Sequence, residues 1–498
     1  MFLIPNDLLK FIKQFAAPGM SVYLVGGAVR DRLMGLDSRD LDFAVKEGAI
    51  QLGRRVADES NSAFYVLDAE RGTARVLMIS NGEKITLDFA NFRGDNIEAD
   101  LRNRDFTVNA LALNLDDLQN IIDPLNGQHD IGSKTIRTCL QSSFRDDPVR
   151  ILRAVRFIFQ LGFTIDPASE ADLQKAVSLL PNSSIERQRD ELFFILGGSK
   201  PGAALAVLEK YGVLPILLPE LVPLIQLSQS AHHAHDAWEH TLAVLDYCEQ
   251  ILDSFLKDGK NRISNDYIKM AAEELQPLNS FLKSYFNEPI NPLRSLRSIY
   301  IFAALYHDVG KPATKTEDDK GIQFIDHEII GAELTGIRVR ALALSNEEVQ
   351  FIECIIQNHM SIHKLVKVQG LDFRMAAYHY FRKAGRAGVL DCLFSLSDLL
   401  STYEERMEAA RWEAGMKMCD RLLDAWFNHY PEMIKPPLLI NGDELQSRFK
   451  LHPGPLIGNL LARLEESQAV GKVGTREDAQ KFIHSILFGA HLEEDEDS

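Results

Sequence analysis

Asp40 and Asp42 are the residues whose type and spacing most directly suggest chemistry. They alternate with Leu41, Phe43 and Val45 in the run DLDFAV. Side chains two apart on a strand share a face, so both carboxylates point one way while the apolar residues pack behind. Two hard oxygen ligands aimed at one spot suit Mg²⁺ as a bridge to a triphosphate and as an activator of an attacking hydroxyl. A third carboxylate is available in the strand-like run Lys84 to Ala90, where Asp88 shares a face with Thr86 and Ala90. It could take the proton of the attacking hydroxyl or hold a metal. Upstream, the apolar run Val22 to Val25 leads into Gly26-Gly27 and a short helix carrying Arg30. Paired glycines let a backbone approach a phosphate, and the helix N-terminus behind them offers unpaired N–H groups to an anion. The ordered combination points to nucleotidyl transfer rather than to a surface turn with solvated aspartates.

Placing these groups takes an α/β frame. A helix is expected over 48–60, then strands at Ala63 to Leu67, Ala74 to Ile79 and Lys84 to Ala90, giving a mixed or mostly antiparallel sheet with helices on one side. Farther on, Asp147 is placed as an N-cap and Pro148 as the first residue of a helix. Arg150, Arg153 and Arg156 follow at three-residue spacing on that helix, and Ile151, Leu152, Val155 and Ile158 form its apolar stripe. From about residue 230 the pattern is helical and rich in histidine, and the apolar run Ile299 to Tyr306 ends at His307-Asp308.

Composition narrows the class. A chain of 498 residues with 46% hydrophobic and 25% charged residues is long enough for several globular domains. The start, MFLIPNDLLKFIKQFAAPG, reads as an amphipathic helix rather than a signal peptide, and no 18-residue apolar stretch exists, so no membrane span is expected. Five cysteines, widely spaced and without a CxxC pair, fit reduced thiols in a cytoplasmic protein. The net charge of −17 speaks against a generic nucleic-acid binder without excluding one, since local fields matter more than the sum, and no DNA partner is expected. Arginines nevertheless gather in 93–104, 145–156 and 187–189, so any RNA contact would be a stripe on an acidic body.

The motif Gly26-Gly27-Ala28-Val29-Arg30-Asp31, followed by Asp40-Leu41-Asp42, resembles the signature of the tRNA nucleotidyltransferase / poly(A) polymerase family of the polymerase-β-like superfamily. Arg102 to Ala110 is similar to that family's RRDFTxNA motif, with Asn103 in place of the first arginine. Arg104 and Asp105 are thereby implied to hold the nucleotide, and an arginine fork suits a triphosphate. Asp123 to Asp130 resembles the turn that closes the family's head, and Glu186 to Leu192 its ERxxxEL helix, implied to support the neck. Asp146-Asp147-Pro148-Val149-Arg150 resembles the (E/D)DxxR motif, so base selection without a nucleic-acid template is implied to fall to Asp147 and Arg150, with Arg153 and Arg156 facing phosphate or positioning that pair. The chemistry agrees: a carboxylate only accepts and a guanidinium only donates, which matches the edges of C and A and opposes those of U and G. The stretches His235 to Leu242 and Leu305 to Lys311 resemble the HD superfamily of metal-dependent phosphohydrolases. Its ordered H…HD…D set maps to His240, His307, Asp308 and a later aspartate, best Asp398, with Asp391 one helical repeat away. Imidazole plus carboxylate suits Mn²⁺, Ni²⁺ or Fe²⁺. His327 and His359 are candidates to line the same cleft.

The resemblance implies an α/β N-terminal nucleotidyltransferase head with a polymerase-β-like mixed sheet (1–138), an all-α neck (139–225), an HD-type body (226–405), a helical tail (406–490) and a disordered acidic end (491–498). The implied activity is template-independent addition of C and/or A from CTP and ATP to the 3′ end of tRNA, with Asp40 and Asp42 holding Mg²⁺. The compact stretch Asp88 to Arg104 hints at addition of CC alone. The rival readings are an HD phosphohydrolase or phosphodiesterase with a nucleotide-sensing head, and a poly(A) polymerase.

Overall fold

The computed structural model describes residues 6–80, 82–230, 235–256, 264–319 and 321–489, so the acidic end lies outside the described residues. The chain divides into two compact units, Met1–Glu191 and Leu192–Ser498.

The first unit is built on a mixed sheet whose strands are β1 (Tyr23–Val25), β2 (Asp40–Val45), β3 (Ala63–Asp68), β4 (Thr73–Ser80), β5 (Glu83–Asn91), β6 (Ala112–Asn114) and β7 (Asp117–Ile122). Their order across the sheet is β3-β4-β5-β2-β1-β6-β7, with β2 and β5 parallel and every other neighbouring pair antiparallel. The alternation in β2 does what its pattern predicts. Leu41, Phe43 and Val45 join Leu87 and Phe89 in a core capped by Leu9 and Ile12 of the helix Asn6–Gln14 and by Leu52 and Val56 of the helix Ala49–Glu59. Asp40 and Asp42 are left on the opposite, solvent-reaching face. Between β1 and β2 the helix Gly27–Met34 starts at Gly26, whose φ of 74° favours glycine.

Thr135–Ile136 and Thr164–Ile165 form a two-residue parallel pairing at the entrance of the otherwise helical neck, where Gly162, with φ 68°, ends the helix Arg150–Leu161. One sequence expectation needs correction in this unit. Asp147 is not an N-cap, and Pro148 is not the first helical residue. The helix starts at Arg150 after a tight turn in which the Arg150 N–H donates to the Asp147 carbonyl at 3.1 Å, and Arg187 takes the Asp147 carboxylate.

The second unit is helical, around the helix Leu296–Tyr306, buried at every position but Arg297, and the helix Ala387–Tyr403. Its exception is the antiparallel hairpin Lys315–Asp318 with Gly321–Phe324. The tail helices Gly442–Phe449, Pro455–Ala469 and Arg476–Phe488 share a core of their own that includes Ile440, Leu445, Leu464 and Ile483. All five cysteines are free, and no described helix is long and apolar enough to cross a membrane.

Candidate functional site

The parallel register sets Asp42 directly opposite Asp88, and Asp40 opposite Thr86. Directly paired residues share a face at a strand spacing of about 4.8 Å, so Asp40, Asp42 and Asp88 converge. Asp88 is not idle. Arg75, its partner on β4, grips it with two bonds of 2.8 Å. On the other side, Gly26 keeps the turn bare. A Cβ there would lie 2.9 Å from Arg104 Nη1 and 3.5 Å from Asp42 Oδ2, so the guanidinium and the carboxylate meet over the Gly26-Gly27 backbone. Asp100 steadies Arg104 through contacts of 3.2 and 3.1 Å. Surrounding protein raises the Asp42 carboxyl above the ordinary carboxylate range although its side chain reaches solvent; Arg104 opposes the rise, and Asp88 and Asp40 add to it.

Other predicted site residues face inward. Arg30 is buried, donating to Asn109 at 2.5 Å and pairing with Asp31 at 2.7 Å. Asp105 accepts from Arg153 at 2.9 and 2.7 Å, from the Phe106 N–H at 2.8 Å and from Asn109 at 3.2 Å. Burial alone would raise its carboxyl, but Arg153 and these donors hold it below the usual range. Arg153 and Arg156 share Glu191 at 3.0 and 3.1 Å, and Arg30, Arg153 and Arg156 all lie over the Phe157 ring. These groups brace the helix Arg150–Leu161 against the Phe106–Asn109 segment.

Asp147 and Arg150 lie side by side at 3.7 Å. Arg150 donates to the Ser143 hydroxyl at 2.6 Å and to the Asn103 carbonyl at 3.1 Å, so the departure at position 103 still contributes a backbone contact. Arg187 clamps Asp147 with bonds of 2.9 and 2.7 Å. Arg75, Asn109, Ser143 and Arg187 escaped the sequence reading as site groups. Only Arg75 had a usable signal there, as a strand residue of the same parity as its neighbours facing the carboxylates.

In the second unit, His240, His307 and Asp308 bring ligand atoms within 4.8 Å of one another, as do Asp308, His327 and His359. Asp398 Oδ1 stands 3.1 Å from His240 Nε2, and its Oδ2 stands 2.9 Å from His363 Nε2. Asp398 thus stands against two imidazoles, whereas both oxygens of the buried Asp391 lack a hydrogen-bond partner among the described residues. His307, His327 and His359 each place Nδ1 on a backbone carbonyl, at 2.7, 2.8 and 2.6 Å. A carbonyl only accepts, so Nδ1 carries the proton and Nε2 turns inward. Burial lowers His359 to about 3, with His327 and His307 adding to the effect, so its Nε2 lone pair faces Nε2 of His327 at 3.2 Å. A shared proton or a cation reconciles that pair. Burial would raise Asp308 and Asp398, yet the imidazoles, joined at Asp308 by Lys311, hold both well below the ordinary range. Inward Nε2 atoms around ionised carboxylates fit a divalent transition metal.

Comparison with known proteins agrees with the layout. The chain matches models of the Poly A polymerase head domain over residues 22–137, the Probable RNA and SrmB- binding site of polymerase A over 162–225, and the HD domain over 237–364. It is similar to an A-adding tRNA nucleotidyltransferase of Deinococcus radiodurans, 33% identical with 92% of this chain and 94% of the relative covered. It is also similar to a CC-adding tRNA nucleotidyltransferase of Thermus thermophilus, 29% identical with 92% of each chain covered. A solved CCA-adding enzyme in complex with CTP shares the fold, with a TM-score of 0.59 and 20% identity over 98% of this chain and 97% of the other.

Proposed function

Because the chain belongs to the tRNA nucleotidyltransferase / poly(A) polymerase family, we propose that it adds C and/or A from CTP and ATP to the 3′ end of tRNA without a nucleic-acid template. The observation that carries this reading is the convergence of Asp40, Asp42 and Asp88 on one sheet face, with Arg104 poised over Gly26-Gly27. Asp40 and Asp42 would hold Mg²⁺, which when bound would lower the barrier to attack by the 3′ hydroxyl and to departure of pyrophosphate. Arg104 and the bare Gly26-Gly27 backbone receive the triphosphate. Asp88, aimed by Arg75, is placed to accept the proton of the attacking hydroxyl. Asp147 and Arg150 read the base, once Arg187 yields the Asp147 carboxylate.

The segment between β5 and Arg104 folds into the short helix Ile97–Arg102, capped by Asn96. That compact geometry supports CC addition, whereas the Deinococcus relative supports A addition. The test is incubation with Mg²⁺, a tRNA lacking its CCA end, and CTP and ATP separately and together, read on a sequencing gel. Two added cytidines support CC addition, and extension by A only of a tRNA already ending in CC supports A addition. No incorporation under any condition overturns the transferase reading.

The convergent Nε2 atoms support a second activity in the other unit. His240, His307, Asp308 and Asp398 would hold Mn²⁺, Ni²⁺ or Fe²⁺, with His327 and His359 beside Asp308, for hydrolysis of a phosphate ester. Phosphate release that depends on added metal and is lost in His307→Ala tests it.

A further inference from the structure

The sheet face that carries the three carboxylates is covered unevenly. Toward β1, β6 and β7 it is packed: Val25, Ala44 and Ala112 join Leu101 and Ala110 in a small core, with Tyr23, Phe92 and Ile122 against it. Toward β3 and β4 it is bare. Tyr65 is 52% exposed, Leu77 44% and Ile79 71%. The strand register ties this bare patch to the reacting groups. Tyr65 pairs with Arg75, Arg75 with Asp88, and Asp88 with Asp42, one straight row across four strands. The next row runs from Ala63 through Leu77 and Thr86 to Asp40. Ile79 pairs with the exposed Lys84, so cations and apolar groups alternate on the same surface.

At a strand spacing of about 4.8 Å, Tyr65 stands about 10 Å from Asp88 along its row. A stacked strand advances about 3.4 Å per nucleotide, so this separation corresponds to about three bases. An exposed ring flanked by aliphatic side chains and cations is the surface that single-stranded nucleic acid binds, by base stacking with phosphate contacts alongside. A protein partner would find Arg75 and Lys84 within the patch; an RNA strand makes use of them.

We infer that Tyr65, flanked by Leu77 and Ile79, is a stacking platform for the unpaired bases just before the reacting end of the RNA acceptor, and that it keeps the strand in line with Asp40 and Asp42. The inference rests on the transferase reading above. Tyr65 is a positioning residue. It acts on the acceptor and not on the nucleotide.

The experiment compares wild type with Tyr65→Ala, Tyr65→Phe and Ile79→Ser in the full chain. KM is measured separately for a tRNA lacking its CCA end and for the nucleotide, alongside thermal melting and oligomeric mass. Tyr65→Ala is expected to raise the KM for RNA on the order of tenfold while the nucleotide KM and kcat stay within about twofold. Tyr65→Phe restores the RNA KM, because stacking needs the ring and not the hydroxyl. Ile79→Ser gives a smaller rise in the same constant. Wild-type incorporation with an unchanged RNA KM in Tyr65→Ala overturns the platform alone. A change of oligomeric mass in Ile79→Ser, with RNA KM unaffected, identifies the patch as a contact between copies and also overturns it. Wild type that incorporates nothing overturns the transferase reading and the platform together.

Discussion

The head carboxylates and the histidine cluster of the second unit are both candidate metal centres, and they are built on opposite principles. Asp40 and Asp42 face solvent, and the Gly26-Gly27 turn and Arg104 lie beside Asp42. His240, His307, Asp308 and His359 are buried, and most of the imidazoles are fixed through Nδ1 before any ligand arrives. In the proposed reaction the head site would be a receptacle completed by its substrate, since a nucleotide would supply the oxygens the protein lacks. The buried cluster gathers imidazoles and carboxylates already held by second contacts, an arrangement that would suit a resident metal. Exposure suits turnover, and burial suits retention.

The sharpest way to break this contrast is to exchange the lesions. Asp42→Asn is expected to lower nucleotide addition by on the order of 10³-fold or more with little change in melting, because it removes one of the two carboxylates proposed to hold Mg²⁺ from a solvent-reaching position. His307→Ala should leave addition within a few-fold of wild type while abolishing retained metal, counted by elemental analysis after gel filtration. Comparable loss of addition in both variants would mean that the two centres are one functional system.

A second effect is thermal. Ni²⁺ or Mn²⁺ at about a hundred times its dissociation constant should stabilise the protein by about 2.7 kcal/mol if only the native state binds it. That shift in melting should persist in Asp42→Asn and vanish in His307→Ala. Persistence in His307→Ala would place the retained metal elsewhere.

The smallest effect concerns Asp391, which shares the helix Ala387–Tyr403 with Asp398. Asp398 is held by two imidazoles, whereas neither Asp391 oxygen has a hydrogen-bond partner among the described residues, and burial raises its carboxyl well above the ordinary value despite Lys383. A folded value raised above the unfolded one contributes stability that is complete below the ordinary carboxylate range and is lost as pH rises through the folded value. Melting of wild type should therefore decline as pH rises above the acid range. Asp391→Asn should flatten that slope, by on the order of 1 to 3 kcal/mol at the alkaline end. Parallel slopes in the two proteins would show that Asp391 has a partner in solution.

The same contrast explains what was legible in sequence. Asp40, Asp42 and Asp88 lie in strands whose period of two announces their face, and resemblance supplied the order His240, His307-Asp308, Asp398. Ion pairs were not legible. Arg75 on Asp88, Arg187 on Asp147 and Glu191 beneath Arg153 and Arg156 join residues from separate elements, and local patterns carry no record of such partners. Asp147 was misjudged for that reason: an aspartate before proline has a strong local preference for capping, and the bidentate grip of Arg187 overrode it. The pairing of Thr135–Ile136 with Thr164–Ile165 is too short to show a period, and the exposed hairpin at Lys315–Phe324 has no buried face to announce one.

The strand order carries a consequence for how the protein is made. β1 lies mid-sheet, paired with β2 on one side and with β6 on the other, and the Gly26 N–H donates to the Leu111 carbonyl at 3.1 Å. During synthesis the Gly26-Gly27 turn leaves the ribosome well before β6, so the second edge of β1 cannot close until Leu111 and β6 have followed. Such non-local closure is slow relative to helix formation. The nucleotide site is therefore among the last parts of the head to lock, and a nascent chain stalled before β6 would present an unpaired β1 edge to its surroundings.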